Sequence, residues 1–159
     1  MNNDITIIRV PTGLSVPAYM QDAQNRLLGR FNEQPHADNL QAAVNDKNTV
    51  VILAIAGKAP ENPEDWQHIP TEAYAGTATL LILQTPWHVI AHIEEVIVDA
   101  GHEGKGIGKK LMQKAIEIGH DRGIQTFDLT SGPSKVAAQA LYEKIGFKKR
   151  ETNNWRYEG

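Results

Sequence analysis

Two carboxylates stand side by side in an otherwise apolar stretch, Ala91-His92-Ile93-Glu94-Glu95-Val96-Ile97-Val98. Its β-branched content marks a strand, and a carboxylate buried there without a partner is expensive. Side chains alternate across a strand, so at most one of the pair serves a given site. On that alternation Glu94 shares its face with His92, Val96 and Val98. The stretch runs straight into Val98-Asp99-Ala100-Gly101-His102-Glu103-Gly104-Lys105-Gly106-Ile107-Gly108-Lys109-Lys110. A strand ends, a glycine-rich turn follows and a helix starts. Backbone N–H groups at a helix start form a positive concavity suited to phosphate. Gly104, Gly106 and Gly108 let a ligand approach the backbone closely, and Lys105, Lys109 and Lys110 add positive charge. The spacing G-x-G-x-G is neither the nucleoside-triphosphate loop nor the dinucleotide fingerprint.

Other chemistries find little support. The chain has no cysteine, three serines and no G-x-S-x-G string, so a covalent acyl-enzyme is not expected. His88 and His92 have the spacing of a helical zinc grip. In a strand they stand ~13 Å apart, and no metal site is expected; His92 is a candidate to line the substrate site.

The surrounding elements must hold these residues. A first strand is predicted over 4–10, helices over 16–33 and 37–45, and a strand over 49–56 whose unbroken apolar run suits burial on both faces. Segment 57–72, with Pro60, Pro63 and Pro70, reads as a long loop. It and the N-terminal helices are expected to carry the acceptor preference. Strands over 75–83 and 89–98, joined by a turn at 85–88, should pair antiparallel. A helix over 106–122 has a stripe of Leu111, Met112, Ala115, Ile116 and Gly119, with Gly123 as its stop. A short strand over 126–130 precedes a helix over 134–145, with Ser134 as N-cap and Gly146 as C-terminal stop. In that helix Ala137, Ala140 and Leu141 form the apolar stripe, flanked by Val136 and Ile145. Lys135, Ala138 and Tyr142 share another side, so Tyr142 is not needed to fill the core. Strands over 147–150 and 154–157 close the chain. The order predicts one α/β domain over 1–159, a mixed central sheet of about six to seven strands flanked by about four helices.

The chain has 159 residues, 41 % of them apolar and 22 % charged, the profile of a soluble globular domain. It lacks a long apolar run and a basic-then-apolar leader, which predicts a cytoplasmic protein with no membrane partner. The net charge of −3 divides into −7 over residues 1–102 and +4 over 103–159. Such a division suits a cationic ligand on one side and an anionic one on the other. Basic residues without interleaved aromatics argue against a nucleic-acid partner. The oligomeric state is open, a homodimer included.

The glycine-rich segment resembles the acetyl-CoA signature of the GNAT superfamily of N-acetyltransferases, Arg/Gln-x-x-Gly-x-Gly/Ala, at Gly106 and Gly108, with Glu103 in the place of the Arg or Gln. The later segment Lys135–Phe147 is similar to the family's Asn-x-x-Ala-x-x-Leu/Phe-Tyr-x-x-x-Gly-Phe at Ala138, Leu141, Tyr142, Gly146 and Phe147, with Lys135 in the place of the Asn. The phrase His-Ile-Glu-Glu-Val-Ile-Val is similar to the amino-sugar-phosphate branch. The resemblance implies an acetyl-CoA-dependent N-acetyltransferase acting by direct attack in a ternary complex, without a metal. It implies pyrophosphate held at Glu103, Gly104, Lys105, Gly106, Ile107, Gly108 and Lys109. The pantetheine arm would pair with Val96, Ile97 and Val98, and Lys135, Ala138 and Tyr142 would complete the cofactor site. Glu94 would be the base, with Glu95 in reserve, and Tyr142 the acid that protonates the departing thiolate. The acceptor is a small-molecule or peptide amine: a polyamine, an amino-acid or peptide amine, or an amino-sugar phosphate. The alternative is a non-catalytic acyl-CoA-binding sensor of the same fold.

Overall fold

A computed structural model describes residues 4–29 and 38–159. Its sheet contains β1 (Ile5–Arg9), β2 (Thr49–Ala56), β3 (Tyr74–Gln84), β4 (Val89–Val98) and β5 (Phe127–Asp128), ordered as numbered. The first four strands pair antiparallel, and β5 lies parallel to β4. The α-helices are α1 (Ala18–Leu28), α2 (Asn39–Asn45), α3 (Ile107–Asp121) and α4 (Val136–Ile145). Residues 30–33 and 37 of the expected helices lie outside the described residues. No helix among the described residues is long and apolar enough to cross a membrane.

The unbroken apolar run of β2 is explained by two cores. Val50, Ile52 and Ala54 enter a cluster with Leu111, Met112 and Ala115 of α3. Val51, Leu53 and Ile55 point the other way, to Met20 and Ala23 of α1 and Val44 of α2. A strand covered on both faces has no polar side to alternate. The α3 stripe is as expected at Leu111, Met112, Ala115 and Gly119, with Ile107 and Ile118 added and Ile116 only half-buried at its margin. Gly123 and Gly146 take positive φ after α3 and α4, as expected of helix stops.

Several elements differ from the sequence reading. The sheet has five strands, because 147–150 and 154–157 form no ladder. β5 is two residues long and offers them little edge. Lys148, Lys149, Arg150, Asn153 and Asn154 favour water over a pleated surface, and Arg150 Nη1 reaches Asp128 Oδ2 at only 3.4 Å. Ser134 is not the N-cap of α4; Lys135 takes that position without a side-chain capping bond. The covered face of α4 is Ala138, Leu141, Tyr142 and Ile145, while Val136, Ala137 and Ala140 are exposed. Tyr142 therefore does pack at the edge of the core, and its ring meets Phe147 edge-on at 6.3 Å. Segment 57–72 is more than a loop. Asn62 and Asp65 form a reciprocal capping box on a 3-10 turn, Pro63–His68, which sets Trp66 into the second core.

Tyr74 ends up fully buried there, its hydroxyl without a hydrogen-bond partner among the described residues. Burial pushes the phenol up to about 12. The unfolded chain then releases this proton first, so stability falls as pH rises above the ordinary tyrosine range. Tyr74→Phe should be as stable as the parent at neutral pH or better by about 1 kcal/mol. Its advantage should grow by up to about 1.4 kcal/mol per pH unit between about pH 10 and 12. Urea unfolding at neutral and alkaline pH checks this; a constant difference would mean that the folded state does not hold the proton more tightly.

Candidate active site

Across its middle β4 carries one residue more than β3. Glu94 lies opposite Thr79 and Ile97 opposite Thr77, so Glu95 and Val96 together face Ala78. The extra residue is absorbed at Glu95, whose φ of 54° is the one positive value at a non-glycine among the described residues. Such a bulge re-aims the side chains beyond it. Ala91 and Ile93 lie in the α3 core, and after the bulge Val96 and Val98 pack against that same core. Glu94 therefore does not share a face with Val96 and Val98, as strict alternation had it. Nor does the one-carboxylate rule hold, because both glutamates line one cavity of about 1040 Å³.

Glu95 Oε2 accepts a hydrogen bond from Thr79 Oγ1 at 2.9 Å. Glu94 Oε1 lies 3.7 Å from His92 Nδ1. Tyr142 lines the cavity from α4. Burial raises its phenol above the usual value, and the negative charge of Glu94 raises it further. The hydroxyl therefore stays protonated through neutral pH. Val96 and Lys135 line the same space, as does Ser131, whose buried Oγ has no partner among the described residues.

The opposite wall comes from the N-terminal helices, through Gln21, Gln24 and Asn39. Gln24 is fixed by its bond to Thr77 Oγ1 at 2.9 Å. These residues escaped the sequence reading because helices of weak periodicity give no sign of which side chain faces a ligand. Segment 57–72 contributes nothing to the cavity lining, contrary to expectation, and instead borders a smaller hollow beside β1.

The glycine-rich segment lies outside that cavity lining. A 3-10 turn at Ala100–His102 follows β4, with Asp99 accepting from Gly101 N–H at 3.2 Å. Burial raises the Asp99 carboxyl, but His102, Arg26 and that N–H outweigh it and hold the group below the usual range. Arg26 of α1 pairs with Asp99 and donates to the Tyr74 carbonyl at 2.9 Å, which ties α1 to the turn. Gly104 and Gly106 have φ of 75° and 73°, and a Cβ on either would meet nothing within 4 Å. That open, backbone-lined side at the start of α3 is the cradle a phosphate needs. Gly108 differs: it lies where α3 meets α4, and a Cβ there would make ordinary contact with Leu141 Cδ2 at 3.4 Å. Ile107 and Ile97 are buried and offer only backbone. Glu103, Lys105 and Lys109 are exposed around the cradle, and Ala138 is half-buried on α4.

Residues 37–147 match the acetyltransferase (GNAT) family. The chain belongs to that family. A glucosamine 6-phosphate N-acetyltransferase of Trypanosoma brucei brucei is 33% identical over 79% of this chain and 80% of its own length. Two solved structures share the fold. An aminoglycoside acetyltransferase from an uncultured soil metagenomic sample has a TM-score of 0.76 at 20% identity, covering 99% of this chain and 97% of that one. The glucosamine-6-phosphate N-acetyltransferase of Arabidopsis thaliana has 0.71 at 18%, covering 97% and 98%. The protein is thus an acetyltransferase, of a family whose members use acetyl-CoA as co-substrate. The cradle at Gly104–Gly106 fits the pyrophosphate of that molecule.

Acetyl-CoA at about 100 times its Kd should stabilise the chain by about 2.7 kcal/mol, a rise in Tm of roughly 5–10 °C. Gly106→Val should abolish the rise, because a β-branched residue resists positive φ and its side chain fills the cradle. Scanning fluorimetry checks this, and an undiminished rise in the variant would remove the cradle from cofactor binding.

Proposed function

We propose that the protein moves the acetyl group of acetyl-CoA to the amine of an amino sugar, by direct attack in a ternary complex. One observation carries this: Glu94 and Tyr142 line a single cavity, near enough that the charge of the first raises the phenol of the second. The cradle at the start of α3 would hold the pyrophosphate, and the β4 backbone at Val96–Val98 the pantetheine arm. Acetyl-CoA supplies an activated acyl carbon and a thiolate leaving group. Glu94 takes a proton from the bound ammonium, directly or through water, and frees the nitrogen lone pair. The C–N bond forms as the C–S bond breaks. Tyr142, held protonated, gives its proton to the sulfur, and the second surplus proton of the acylated nitrogen leaves through water and restores the phenol. The family relative and the metagenomic neighbour support the acceptor class, since both names describe amines borne on sugars.

Tyr142→Phe keeps the ring contact with Phe147, so stability should stay within about 1 kcal/mol of the parent and acetyl-CoA should still bind. Turnover of glucosamine should fall by roughly 10²–10⁴. In the parent, the alkaline loss of activity should lie above the ordinary tyrosine range, because the phenol is raised. Glu94→Gln should show a deficit that shrinks as pH rises, when more acceptor is already neutral. Thiol release over a pH series reads all of these. Parental turnover in Tyr142→Phe would sink the acid role, and cofactor binding without turnover of any amine would favour the sensor.

A further inference from the structure

We infer that Glu95 is a specificity-determining residue that holds a second ammonium group of the acceptor, so that a diamino sugar is preferred over a sugar phosphate. This rests on the amino-sugar reading above and narrows it. The mechanism uses one carboxylate, yet the bulge delivers two into the cavity. Among the described residues no Lys, Arg or His pairs with Glu95. Among the described residues, its charge therefore faces the cavity without a paired cation. Nor is it loose: Thr79 Oγ1 grips one oxygen at 2.9 Å, and Thr79 is itself nearly buried, at 9% exposure. A held, uncompensated carboxylate is a preformed partner for an ammonium.

The same charges disfavour phosphate. Among the described cavity-lining residues, Lys135 is the one lysine or arginine, against Glu94 and Glu95. A phosphate dianion brought beside the base would face two like charges. The excess of −7 over residues 1–102 adds to that bias and draws cations in. Both carboxylates border one cavity, so they can serve two amines of one sugar.

The test compares three probes that differ at one carbon: glucosamine, glucosamine 6-phosphate and the 6-amino-6-deoxy analogue of glucosamine. With the parent, kcat/KM should be highest for the diamine and lowest for the phosphate, with steps of about tenfold, the upper range for a partly exposed ion pair. Glu95→Gln keeps the size of the side chain and an oxygen for Thr79. It should erase most of the diamine-to-glucosamine ratio, mainly through KM. Thr79→Val should shrink the ratio by a smaller factor. The thermal shift with acetyl-CoA verifies that each variant is folded. Preference for the phosphate over the diamine would overturn the inference and leave the amino-sugar reading intact. A Glu95→Gln variant that loses kcat equally on all three probes would make Glu95 the base and also overturn it. Turnover of spermidine with none of the sugars would bring down the amino-sugar reading itself.

Discussion

Glu95 takes a positive φ because β4 holds one residue too many for β3, and the rest of the site follows from that mismatch. In strict register Glu95 would follow Ala91 and Ile93 onto the face that packs against α3, where an unpaired carboxylate has no place. The bulge sends Val96 and Val98 there and turns Glu95 toward Thr79. Its other side is fixed by Gly76. A Cβ at that position would stand 2.7 Å from the Ile97 carbonyl oxygen, with Leu111 at 3.2 Å behind it. The close approach of β3 to the exit of the bulge thus needs a residue without a side chain.

Tyr142 and Glu94 sit in opposite surroundings. Tyr142 is half-buried beside Phe147, and both burial and Glu94 favour its protonated form. Glu94 is more open, its side chain 38% exposed. In the proposed mechanism one group would give a proton and its neighbour would take one. The open, backbone-lined start of α3 is separate from this pair, beyond the end of β4. It relies on backbone conformation, with Gly104 and Gly106 at positive φ.

Much of this was legible where local rules dominate. The double apolar pattern of β2, the α3 stripe and the glycine-rich start of α3 follow from periodicity and backbone freedom, and the structure has them. The bulge was not legible. Nothing in His-Ile-Glu-Glu-Val announces an extra residue, because a bulge is defined by the register of the partner strand. For that reason a rule that holds for a regular strand excluded one glutamate. The α4 face was misread because alanines fit both a buried stripe and an exposed side. Two C-terminal strands were expected over 147–150 and 154–157, but a strand needs an edge, and β5 offers two residues. The acceptor wall was invisible for a related reason: Gln21, Gln24 and Asn39 become site residues only through tertiary placement.

Helix α1 is more heavily committed than its polar sequence suggests. Met20, Ala23 and Leu27 fill the second core and its margin, Gln24 is bound to Thr77, and Arg26 is bound to Asp99 at the root of the cofactor turn. Of its residues that border the cavity, Gln21, Gln24 and Leu28, the middle one cannot change without unmaking a buried bond to the sheet. Retuning this wall for a new acceptor, by evolution or in the laboratory, is therefore channelled through positions 21 and 28. They lie seven residues apart, two turns along one helical face, and frame opposite ends of whatever molecule the helix meets.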